Sequence, residues 1–203
     1  MESPIARLSG KLPSLAEFYT GYSRYLQQCL STVDLGQLET VAEVFLRARA
    51  ENKTIFFAGN GGSAATASHF CQDLADVGRK AKVEGFRTLS LTDNVACITA
   101  AGNDYGYEAI FTNQMMFLFQ PGDILVVISA SGNSGNVVAA TRLALEKGGT
   151  VIAMVGFDGG KLGEMAHHVL KISTPQGEYG PVEDAHLVLD HVMTAFLTAK
   201  LKG

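Results

Sequence analysis

The chain has no tryptophan, only five prolines and only three cysteines. Charged residues make up 18% of it, below the usual share of about a quarter. Each shortage excludes something. Cys29, Cys71 and Cys97 are scattered without paired spacing. That excludes a disulfide scaffold and reads as small buried hydrophobes in a reducing compartment. No apolar run approaches the ~20 residues that span a bilayer, and no basic stretch followed by an apolar core opens the chain. The sequence therefore predicts a cytoplasmic protein without a secretion signal. A net charge of −4 gives no electrostatic reason to bind nucleic acid or an anionic membrane. So little charge on 203 residues, 47% of them hydrophobic, points to buried subunit contacts around one sizeable core.

What the chain has in excess is glycine, with 22 residues, many clustered directly after apolar runs. Two helical patterns come first. Residues 14–31 carry Leu15, Phe18, Tyr22, Tyr25 and Leu26 at helical spacing behind a Ser14 cap, and residues 35–51 repeat the pattern through Leu38, Val41, Val44 and Phe45. An α/β alternation follows. Strands are expected at Thr54–Ala58, Arg87–Leu91, Asp123–Ile128, Thr150–Val155 and Val169–Ile172. Helices are expected from the Gly61 region to about Leu74, over Asn94–Ala101, over 107–119, from about 135 to 147, and from about Val182 to Lys200. Apolar strands separated by helices predict a three-layer α/β sandwich with a mainly parallel sheet. The expectation is one domain over 1–203, with the helical hairpin of residues 1–51 packing on the sheet or on a neighbouring subunit.

Two loops stand where such a sheet binds ligands, beyond the carboxyl ends of strands. Gly59-Asn60-Gly61-Gly62-Ser63 follows the first strand, and Ser129-Ala130-Ser131-Gly132-Asn133-Ser134 follows the third. Glycines let a ligand approach the backbone, a helix N-terminus offers free N–H groups and a favourable dipole, and serines add hydroxyl donors. Neither loop contains the lysine of a P-loop or the spacing of a dinucleotide fingerprint. Together they predict a phosphate-bearing small molecule.

The segments GNGGSAATASHF, ISASGNSGNVV and VEDAHLVLDH resemble the sedoheptulose-7-phosphate (phosphoheptose) isomerases, a branch of the sugar isomerase (SIS) fold. The resemblance covers most of the chain. It implies a homotetramer with active sites at subunit interfaces, and a phosphate held by Ser63, Ser129, Ser131 and Ser134. It also implies a sugar lying near Asn60, Gly61 and Asp104, in a pathway to heptose for surface polysaccharide. The implied reaction moves a proton between adjacent carbons through an enediol, which calls for a base, a proton donor and a means of polarising the carbonyl. His69 and Asp73 are four apart on one helix, and Glu183 and His191 lie two turns apart on another. This His/Asp and Glu/His set is competent to hold zinc or a similar divalent ion. The resemblance makes Asp73 the base and His191 its partner acid/base, places Glu183 by the substrate, and makes His69, Asp73, Glu183 and His191 the metal ligands. The chain departs from the family's pattern at four points: Asp73 stands for Glu, Glu183 for Gln, Ala130 for a frequent Thr, and Val77 for Arg, with Arg79 two residues on. Two rivals share the fold, an isomerase of another phosphosugar and a non-catalytic SIS protein that binds a partner such as a replication initiator.

Overall fold

The computed structural model describes residues 4–10 and 14–203. A short helix α1 (Pro4–Ser9) precedes the hairpin of α2 (Leu15–Leu30) and α3 (Leu35–Ala50). Ser14 caps α2 in a reciprocal capping box with Glu17, and Asp34 caps α3 through the N–H of Gln37. The alternating region runs β1 (Thr54–Gly59), α4 (Gly62–Ala81), β2 (Arg87–Ser90), α5 (Val95–Tyr105), a 3-10 turn (Tyr107–Ala109), α6 (Thr112–Leu118), β3 (Ile124–Ser129) and α7 (Gly135–Glu146). It continues through β4 (Thr150–Gly156), α8 (Gly160–Met165), β5 (His168–Ile172) and the long α9 (Tyr179–Leu201).

All strand pairings are parallel, in the order β2-β1-β3-β4-β5. Successive strand residues face opposite sides, so each strand feeds two cores. Ile55, Phe57, Val126, Ile128, Ile152 and Met154 pack with α3, α4 and α9, whereas Phe56, Ala58, Leu125, Val127, Val151 and Ala153 pack with the α5–α8 side. This is the expected three-layer sandwich. The hairpin lies on one face of it: α3 packs on β1 and β5, and α2 packs along α9. Two long-range bonds tie α2 to the start of α9, from the Tyr22 hydroxyl to Asp184 (2.6 Å) and from the Tyr25 hydroxyl to the buried Glu178.

Several boundaries differ from expectation: α5 runs on past Ala101 to Tyr105, and three others have a local cause. Helix α4 continues past Leu74 to Ala81, where Asp76 pairs with Arg79 and Lys80 and a left-handed Lys82 ends it. The 107–119 segment breaks into a 3-10 turn and a short helix after Gly106, whose φ of +90° suits glycine. Helix α9 starts at Tyr179 because Pro181 sits in its first turn, where a missing N–H costs no intrahelical bond. Among the described residues no helix is long and apolar enough to cross a membrane.

Candidate active site

Strand order places the switch point between β1 and β3: the chain leaves β1 toward β2 and returns on the other side through β3. The glycine loop and the serine loop leave these two neighbouring strands, so they line one crevice. A reciprocal amide pair closes it. Asn60 Nδ2 donates to Asn136 Oδ1 and Asn136 Nδ2 donates to Asn60 Oδ1, both at 2.8 Å, while the Tyr107 hydroxyl donates to Asn60 Oδ1 at 3.0 Å. Asn136 is buried and its Oδ1 also accepts the N–H of Val137. The amide plane that presents Asn60 is therefore fixed from the opposite loop.

The four serines sit in the two loops and at the helix starts that follow them. Ser63 is buried in the first turn of α4, and Ser134 is the N-cap residue of α7. Neither helix receives a side-chain cap bond at its N-terminus, so neither start is sealed by its own cap residue. Ser129 Oγ accepts the Gly132 N–H at 3.2 Å, and Ser131 Oγ accepts the Asn133 N–H at 3.3 Å. Those bonds leave both hydroxyl protons free to be donated. The Asp158-Gly159-Gly160 turn, which in sequence is only another sheet-edge turn, buttresses the serine loop. Leu162 N–H donates to Gly132 O (3.0 Å) and Lys161 N–H to Asn133 Oδ1 (3.1 Å). Gly132 has φ +65°, and a Cβ there would stand 2.0 Å from Gly159 O.

Helix α9 lies against α4 and brings the second group together. His69 Nε2 is 3.3 Å from His191 Nε2 and 3.5 Å from Asp73 Oδ2, and His191 Nε2 is 4.0 Å from the same oxygen. His69 and His191 are exposed and Asp73 is partly buried. A fourth carboxylate, Asp190, joins them: one donor atom from each of His69, Asp73, Asp190 and His191 lies within 4.8 Å of the others. Asp190 is fully buried and neither of its oxygens has a hydrogen-bond partner. Burial, and then the Asp73 carboxylate, push its carboxyl up to about 7.

Glu183 stands apart from this group. Eight residues of helix separate it from His191, an axial distance of about 12 Å. Its carboxylate lies over the start of α4, where a Cβ at Gly62 would come 2.3 Å from Oε2. Burial and Asp184 raise its carboxyl above the ordinary value. Asp104 is exposed on α5 and bonded to Asn103. Arg79 extends into solvent bonded to Asp76, while Val77 is wholly buried. Asp93 accepts from Ser68, Asn94 caps α5 through the Cys97 N–H, and His167 Nδ1 accepts the Val151 N–H at the edge of β4; each has a structural occupation.

Asp190 and Asn136 are the residues that sequence reasoning missed. The buried stripe of α9 runs Val182, Ala185, His186, Leu189, Asp190, Met193, Thr194 and Leu197. Asp190 falls on that helical spacing, and a carboxylate in an apolar stripe was the available signal.

The SIS domain family profile matches residues 17–156. A phosphoheptose isomerase of Sulfurimonas denitrificans is 36% identical over 173 residues, 83% of this chain and 85% of that protein. Among solved structures, a phosphoheptose isomerase from Neisseria gonorrhoeae superposes with a TM-score of 0.80 at 32% identity, covering 91% of this chain and 97% of the other. One from Francisella tularensis gives 0.82 at 25% identity, covering 93% and 98%.

Proposed function

We propose, from the premise that the chain belongs to the phosphoheptose isomerases of the SIS domain family, that it interconverts sedoheptulose 7-phosphate and the corresponding aldoheptose 7-phosphate through an enediol. The single observation that carries this reading is the coexistence of two uncapped, serine-lined helix N-termini at the β1/β3 switch point with a His/Asp cluster on α4, the helix that leaves the same crevice.

Ser63, Ser129, Ser131 and Ser134 hold the phosphate with the α7 N-terminus, which favours an anion by its dipole and its free N–H groups. Asn60 and Gly61 then face the sugar, with Asn60 fixed by Asn136 and Tyr107; Asp104 and Glu183 complete the substrate contacts. Asp73 takes a proton from C1 of the ketose through a carboxylate oxygen and delivers a proton to C2, leaving the aldose. His69 orients Asp73 from one helical turn away. The enediol step also requires a proton to pass from O1 to O2, a transfer suited to His191 Nε2.

The donor set fits a divalent cation: two imidazoles and two carboxylates, one of them the buried Asp190 with both oxygens unpartnered. His69, Asp73 and His191 would hold it, and its chemistry there, with His191 then serving as ligand, would be to polarise the substrate carbonyl. We take zinc as the ion, a homotetramer with interface active sites as the assembly, and the cytoplasm as the location; three free cysteines accord with the last.

Asp73→Asn and His191→Ala test the roles. Both should lose turnover of sedoheptulose 7-phosphate, Asp73→Asn by at least about a hundredfold, while still binding the sugar phosphate. Full activity in both variants refutes the assignment.

A further inference from the structure

Neither the glycine loop nor the serine loop carries a basic side chain, so what they offer an anion is N–H groups, hydroxyls and helix dipoles. One acidic side chain reaches the same place. Glu108 stands in the 3-10 turn after Gly106, next to the Tyr107 whose hydroxyl donates to Asn60. Its carboxylate lies against Gly135, the first residue of α7. A Cβ built on that glycine would stand 2.6 Å from Glu108 Oε1, 3.1 Å from Cδ and 3.2 Å from Cγ. Glycine at 135 therefore leaves the room that the carboxylate fills. Glu108 is exposed and takes part in no hydrogen bond or ion pair among the described residues. Ser134, the N-cap residue of α7, makes no side-chain cap bond either. What keeps the carboxylate at the positive end of α7 is the packing of the turn on that helix, aided by the dipole.

We infer that Glu108 is a built-in competitor for the phosphate subsite: its charge, set beside the α7 N-terminus, limits how tightly any phosphate-bearing ligand is held there. The inference rests on the reading of α7 as the phosphate-binding helix. A phosphate monoester carries nearly two negative charges at neutral pH. A carboxylate within about 5 Å of it, in water-like surroundings and physiological salt, weakens its binding by about three- to tenfold. The penalty falls on substrate and product alike, since the phosphate is common to both. A grip that is equal for substrate, transition state and product adds nothing to the chemical step and holds back the product. Glu108 loosens that grip without altering the serines or the Asn60 amide. Tyr107 and Glu108 thus divide the work of one short turn: the hydroxyl fixes Asn60, and the carboxylate sets the charge at the head of α7.

The experiment titrates the full chain calorimetrically with inorganic phosphate and, separately, with sedoheptulose 7-phosphate, at low and at high ionic strength. Wild type is compared with Glu108→Gln, which keeps the shape and removes the charge, and with Glu108→Lys, which reverses it. Glu108 is exposed, so both variants should fold. Glu108→Gln should bind both ligands at least about threefold more tightly than wild type, and Glu108→Lys more tightly still. The differences should narrow as salt is raised, which a merely structural effect of the turn would not do. Equal or weaker binding in Glu108→Gln overturns the inference, whatever the lysine variant does. A gain confined to the phosphosugar and absent with inorganic phosphate also overturns it, because Glu108 then acts on the sugar. Neither outcome touches the phosphate site itself. Failure of the wild type and both variants to bind either ligand overturns the phosphate reading of α7 along with the inference.

Discussion

Removing the Asn136 side chain should uncouple the two ligand loops, and its cost can be worked from the bonds it makes. Asn136→Ala deletes both 2.8 Å bonds of the reciprocal amide pair and the bond to the Val137 N–H. Asn60 Nδ2 is then left without its partner, whereas Asn60 Oδ1 keeps the Tyr107 hydroxyl. Each buried polar group stranded in this way costs about 1–3 kcal/mol. Two stranded groups, Asn60 Nδ2 and the Val137 N–H, give about 2–6 kcal/mol, or a fall in melting temperature of roughly 4–24 °C for a chain of this length. The substrate effect is separable from the stability effect. Asn136→Asp still accepts from Asn60 Nδ2 and from the Val137 N–H, but it cannot donate and it brings a charge toward the phosphate. It should weaken sugar-phosphate binding more than its melting temperature falls. The assay is a double-mutant cycle with Asn60→Ala, read by denaturant unfolding and by phosphosugar affinity. Coupling of at least about 1 kcal/mol is expected, because residues in one hydrogen-bond network are not additive. Additivity within about 0.5 kcal/mol would refute the idea that the pair ties one loop to the other.

Other consequences follow from single groups. His186 is fully buried, donates weakly to the Val155 carbonyl at 3.3 Å, and is held neutral, its imidazole pushed down to about 4 by burial. Since the unfolded imidazole titrates near 6.5, stability should be intact above that pH and fall as the pH drops from about 6.5 through 4, by up to ~3 kcal/mol; equilibrium unfolding across that range should show a flatter profile in His186→Leu. Tyr25→Phe removes the hydroxyl that, with the Ile5 N–H, holds the buried Glu178 carboxylate. A loss of about 1–3 kcal/mol is expected on thermal unfolding, and an unchanged melting temperature would show that the hairpin does not clamp α9. Gly132→Ala forces a side chain into a left-handed backbone position and against the Gly159 carbonyl. It should cost about 3 kcal/mol or more and abolish phosphate binding by displacing the serine loop.

The parts of this molecule that read directly from sequence are those set by local chemistry. The strands β1, β3 and β4 are continuous apolar runs because both faces of the sheet are covered, and the glycine and serine loops follow them without an intervening residue. The i, i+4 pair of His69 and Asp73 was equally plain, because one helix fixes it. What the sequence hid depends on contacts between distant segments. Asn60 and Asn136 are 76 residues apart, and nothing in either loop states that their amides meet. Asp190 reads in sequence as an ordinary charged neighbour of His191, and only the packing of α9 on α4 turns it inward. Glu183 and His191 share α9, but which groups on α4 each meets depends on packing: the Glu183 carboxylate lies by Gly62 and His191 lies by His69.

The central claim is that the serine-lined crevice and the His/Asp cluster work on one phosphosugar. Purified protein supplied with zinc and incubated with sedoheptulose 7-phosphate in deuterated water, followed by nuclear magnetic resonance, tests it most directly. The account predicts an aldoheptose 7-phosphate carrying deuterium at C2, with Asp73→Asn giving neither product nor label. No product and no exchange at C1 of the ketose, from protein shown to bind the sugar phosphate, would contradict it.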